Sequence, residues 1–79
     1  MTTRECVVQR IIDLCYEKHL SINGLANLAG ISPSTIKSIT NGLSQNPGII
    51  TIKLICDALS ISLFDFFDTE DFKHLEPEP

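Results

Sequence analysis

Between residues 3 and 19 the apolar side chains Val7, Val8, Ile11, Ile12, Leu14 and Cys15 recur at steps of three and four. That period gathers them into one stripe and predicts a first helix over residues 3–19. Leu20 leads into Ser21, whose short side-chain oxygen suits an N-cap, and a short second helix follows over residues 22–29. Gly30 fits the left-handed residue that ends it, because only glycine enters that region without steric cost. Ser32-Pro33 is a start signal: the serine caps free amides and the proline sits where no N–H is needed. The third helix is expected to run to Asn41, with Gly42 as its terminator.

The stretch Leu43-Ser44-Gln45-Asn46-Pro47-Gly48 reads as a loop. A fourth helix is expected over residues 49–59, with Ile52, Ile55, Cys56 and Leu59 on one face. Ser62 then caps a fifth over residues 63–68, with Asp65 at the reciprocal position of a capping box. No alternating strand pattern persists, so the expected fold is all-α with five helices.

Composition narrows the class. The 79 residues allow one small domain, and 43% apolar with 20% charged residues suits a globular core. The net charge of −4 argues at first against nucleic acid. Its distribution reverses that. Up to residue 67, Arg4, Arg10, Lys18, Lys37 and Lys53 balance Glu5, Asp13, Glu17, Asp57 and Asp65, so the excess lies in residues 68–79. Between Lys18 and Lys53 there is no acid at all. The expected organisation is a domain over residues 1–68 and an acidic, disordered tail over 69–79.

Several chemistries have no footing. No run approaches the ~18 apolar residues of a membrane span. The start, with Arg4 and Glu5 and no long apolar run behind them, is unlike a secretory signal. Cys6, Cys15 and Cys56 are widely spaced and contain no CxxC pair, which suits core thiols in a reducing cytoplasm. His19 and His74 lack metal-ligand spacing, and no phosphate-cradling loop or nucleophile elbow is present. Neither catalysis, a cofactor, a metal nor a small-molecule ligand is expected, and no membrane association.

The chemistry that is present lies between Ser21 and Gly42. Two short helices joined by the turn Gly30-Ile31-Ser32 match a helix-turn-helix unit. Ala26 is small where the helices must approach, and Ile36 plugs the angle between them. Ile31 and Ile39 complete the small core. At 100° per residue, Thr35, Ile36 and Ile39 share the inner face of the third helix. Pro33, Ser34, Lys37, Ser38 and Asn41 fan over an outer face without acid or large apolar side chain.

The segment Ser21–Gly42, together with the Leu63-Phe64-Asp65-Phe66-Phe67 ending, resembles the Cro/phage-repressor-type helix-turn-helix family, also called the xenobiotic-response-element family. The likeness covers residues 5–67. It implies a five-helix, lambda-repressor-like DNA-binding domain, mostly found in dimeric transcriptional regulators that place the third helix in the major groove. Pro33, Ser34, Lys37 and Ser38 are then the candidates to touch bases: Lys37 on guanine O6/N7, Pro33 on a thymine methyl, the serines as permissive readers. Candidate phosphate contacts are Asn41, the free amides around Ile22 and Asn23, and Ser44, Gln45 and Asn46 in the loop.

The chain departs from the family where members often carry Gln at Ile22, an Arg near Cys15 pairing with a Glu near Thr40, and Lys or Arg at Leu43 or Gln45. Fewer cations imply few phosphate contacts and a shallow salt dependence. Phe64 stands where a polar residue is usual, which makes it the candidate dimer contact. The expected function is a cytoplasmic, homodimeric regulator, a repressor in type, that binds a short palindromic site in double-stranded DNA. The competing reading is a protein-interaction module, antirepressor- or antitoxin-like, that keeps the fold with little DNA affinity.

Overall fold

The computed structural model describes residues 1–78 and contains six helices: α1 (Thr3–Glu17), α2 (Ile22–Ala29), α3 (Pro33–Thr40), α4 (Ile49–Ala58), α5 (Leu63–Phe67) and α6 (Glu70–Lys73). The helix starts follow the sequence reading closely. Ser21, Ser32 and Ser62 accept the amides of Gly24, Thr35 and Asp65, and Asp65 returns the bond to Ser62 as a capping box. A second capping box, Thr2 with Glu5, starts α1.

The ends of α1 to α4 share one device. A residue in left-handed conformation follows each, and the next amide reaches back across the last turn: Leu20 to the Cys15 carbonyl, Ile31 to Ala26, Leu43 to Ser38, Ile61 to Cys56. Gly30 and Gly42 fill that position after α2 and α3, as expected, with φ of 68° and 73°. After α1 and α4 it is held by His19 and Ser60, at φ 56° and 58°. The first helix therefore stops at Glu17, short of the expected His19.

The interior is built from all of the first five helices. Ile11, Leu25, Ile36, Ile55, Cys56, Leu59 and Phe66 are fully enclosed, and α2 packs on both α3 and α4 while α1 lies across α3. The expected inner face of α4, Ile52, Ile55, Cys56 and Leu59, is buried throughout. On α1, Val7, Ile11, Leu14 and Cys15 are buried but Ile12 lies at the edge of the stripe and is exposed.

Residues 69–78 correct the expectation of a disordered tail. Thr69 caps α6, and Phe72 meets Phe67 edge-on with centroids 4.9 Å apart; Phe67 meets Phe66 in the same way. The acids and prolines of this segment suggest disorder by composition, but Phe72 and the half-buried Leu75 give it apolar surface to bury. Beyond α6 the Glu76 amide donates to the Met1 carbonyl at 3.0 Å, and the Thr3 amide to the Glu78 carboxylate at 2.7 Å. Pro79, also assigned to that tail, lies outside the described residues.

Candidate nucleic-acid interface

The turn between α2 and α3 sets the site. Ala26 and Ile36 are both fully buried in the one core cluster, on helices that pack against each other. Gly30 reverses the chain, and the Ile31 amide closes on the Ala26 carbonyl at 3.0 Å. Ile39 is buried and Ile31 half-buried against the same cluster. This inner packing leaves the opposite face of α3 in water.

On that outer face Pro33, Ser34, Lys37 and Asn41 are exposed and Ser38 is half-buried. Thr35 belongs with them, against the expectation that it points inward: its side chain is exposed and its Oγ1 lies 2.9 Å from Ser32 Oγ. The cap explains this. Ser32 Oγ gathers the Thr35 amide and hydroxyl and the Ser34 hydroxyl (3.1 Å), which holds the first turn's hydroxyls together at the surface. Among the described residues Lys37 has no carboxylate partner, whereas Lys53 is tied to Asp57.

The remaining candidate residues fall into three sets around α3. Ser44 lines a shallow, hydroxyl-rich cleft with Ser34, Thr35, Ser38 and Thr51. The loop is drawn in there because the Ser38 carbonyl accepts the amides of both Leu43 and Ser44. On the other flank Asn41 and Ile22 border a groove that also contains Cys15 and Thr40. Cys15 and Thr40 line that groove together, and Thr40 Oγ1 donates back to the Ile36 carbonyl at 3.2 Å. Ser21 takes the Gly24 amide, and the amides of Ile22 and Asn23 make no bond among the described residues. Gln45 and Asn46 lie in a third hollow with Arg4, a residue the sequence reading passed over. Its signal is a contact across 41 positions, invisible to local pattern.

Phe64 stands apart from these sets, on α5, 75% exposed, beside a shallow hollow formed with Leu63, Phe67 and Asp68. No group of three His, Cys, Asp or Glu side chains among the described residues could hold a metal ion. No described helix is long and apolar enough to cross a membrane.

Comparison with known proteins agrees with this geometry. A helix-turn-helix family model matches residues 13–66, from Asp13 in the last third of α1 through Phe66 of α5. The chain belongs to the Cro/phage-repressor-type helix-turn-helix family. That membership makes residues 13–66 a helix-turn-helix domain. Among family relatives, it is 35% identical over 65 residues to the HTH-type transcriptional regulator SlrR of Bacillus subtilis (strain 168), an alignment covering 81% of this chain. The chain spans only 43% of SlrR. The crystal structure of the prophage Lp1 protein 11 is similar over 95% of this chain and the whole of that one, with a TM-score of 0.82 and 37% identity. A family fold of this kind therefore extends beyond the matched residues to nearly the full chain.

Proposed function

We propose that this chain binds a specific double-stranded DNA site by laying the outer face of α3 in the major groove, and that it acts as a repressor by occupying a short palindromic operator as a homodimer. The observation that carries the reading is the exposed, acid-free face of α3 with Lys37 unpaired at its centre. Lys37 donates to guanine O6/N7, Ser34 and Ser38 read either partner, and Pro33 packs on a thymine methyl. Phosphates are held on either side, by the Ile22 and Asn23 amides and Asn41 on one flank and by Ser44, Gln45 and Asn46 on the other.

Phe64 supplies the apolar contact between two copies. In such a dimer the two α3 helices must stand about 34–36 Å apart to read half-sites one turn apart. Selection of genomic fragments at ~50 mM and at physiological salt tests the reading. An enriched palindrome whose binding is abolished by Lys37→Glu is the expected result; no enriched sequence at the lower salt sinks it.

A second reading has its own support. Leu43 is 72% exposed next to the recognition helix, and the loop that follows holds no cation, so the same surface would suit a protein partner. It predicts that Phe64→Asp and Leu43→Ser release a bound protein while DNA selection returns nothing.

A further inference from the structure

The loop between α3 and α4 contains no basic residue of its own, yet a cation reaches it from elsewhere in the chain. Nη1 of Arg4, in the first turn of α1, donates to Oε1 of Gln45. That bond uses one of five N–H donors on a planar guanidinium and leaves the rest of the fork free. Arg4 is half-buried, and its bond to Gln45 lies at the surface. Among the described residues no carboxylate lies within ion-pair distance of it.

The position of this cation matters. Pro47 borders two hollows at once: one contains Ser34 and Ser38 of α3, the other contains Arg4, Gln45 and Asn46. Arg4 therefore borders a hollow adjacent to the one beneath the outer face of α3, with Pro47 shared between them. A group there meets the backbone of a duplex and not its base edges. An anionic oxygen already occupies this hollow, since the Glu78 carboxylate accepts the Thr3 amide and lines the same walls.

We propose that Arg4 is a phosphate-contacting residue of the DNA interface and that Gln45 is the residue that positions it. The inference rests on the DNA reading above and names a contact which that reading does not contain. The guanidinium fork matches two oxygens of one phosphate, with the Asn46 side chain as a neighbouring donor. Glu78 then acts as an internal competitor that must leave the hollow when the phosphate arrives.

The test compares wild type, Arg4→Gln, Arg4→Lys and Gln45→Ala on two duplexes, the site recovered by genomic selection and a mixed-sequence duplex of equal length. Binding is followed across ~50–200 mM salt, where each phosphate neutralised contributes a slope of about −0.9 in log K against log salt. Arg4→Gln is expected to weaken both duplexes by the same factor and to flatten the slope by about 0.9 per protomer. Arg4→Lys keeps the slope. Gln45→Ala weakens both duplexes less, because the charge stays but is no longer held, and it serves as the reading if Arg4→Gln proves unfolded by circular dichroism. An unchanged slope and affinity in a folded Arg4→Gln, or in Gln45→Ala in its stead, overturns the assignment. If Lys37→Glu still abolishes selectivity in that case, the DNA reading stands without Arg4. A wild type that binds neither duplex removes both.

Discussion

Arg10 of α1 donates from Nε to the backbone carbonyl of Phe66 at 2.9 Å, joining positions 56 residues apart. Its Nη2 reaches the carbonyl of Asp65 at the same distance. Both acceptors lie at the end of α5, where carbonyls lack partners within the helix. One partly buried side chain thus fixes α5, and with it Phe64, against the first helix. Arg10→Met removes two charge-assisted bonds and is expected to cost about 1.5–3 kcal/mol in urea unfolding. Arg10→Lys recovers only part, since an ammonium cannot reproduce the forked geometry.

The left-handed positions after α1 and α4 predict stabilisation. His19 and Ser60 hold a conformation that costs a side chain-bearing residue about 1–2 kcal/mol, partly offset by the greater chain entropy glycine would lose on folding. His19→Gly and Ser60→Gly are each expected to stabilise the fold by about 0.5–1 kcal/mol. The two sites close different helix ends, so the double variant should show the sum. Gly30→Ala, in the same conformation between α2 and α3, should destabilise it.

Phe72 predicts that residues 69–78 behave as part of the folded unit. Its ring packs edge-on to Phe67 with an interplanar angle of 73°. Phe72→Ala should cost about 1–2 kcal/mol through lost burial and the lost aromatic pair. Amide hydrogen exchange provides the check. Wild type should protect the Phe72 and Glu76 amides, and the variant should expose both.

Glu5 predicts an acid limb in stability. The Thr2 amide donates to its carboxylate at 2.8 Å, with the Thr2 hydroxyl second in effect, and together they hold the Glu5 carboxyl below the usual glutamate range. A depressed folded-state pKa means that the contribution is fully present above the unfolded value and is lost as pH falls through the folded one. Glu5→Gln should therefore cost stability at neutral pH and lose less than wild type on acidification. Carboxyl titration followed by NMR should place Glu5 below the exposed glutamates.

The features legible in the sequence were those set by neighbours a few positions away. Ser21, Ser32 and Ser62 announce helix starts because a short oxygen finds an amide three residues on. Gly30 and Gly42 announce turns because their conformation is open to glycine. The burial of Ala26 and Ile36 follows from fixed offsets across one turn. Where the left-handed residue is His19 or Ser60, the same turn forms without a compositional mark. Thr35 sits near the boundary of its helix face, and a hydroxyl network at Ser32 decides its side. Phe72 and Arg4 escape because their partners are distant in the chain. Of the candidate site, the outer face of α3 was readable, while its flanking cation depends on tertiary contact.

The three thiols carry a further consequence. Cys6, Cys15 and Cys56 are buried and unpaired, and burial raises the pKa of each. An alkylating reagent needs a solvated thiolate, so none of the three reacts at an appreciable rate while the helices remain together. Two sit in α1 and one in α4; Cys15 and Cys56 belong to one buried cluster, and Cys6 is buried apart from it. The chain therefore carries its own clock. The rate at which these sulfurs label measures how often the core opens, and differences among them reveal whether α1 or α4 loosens first.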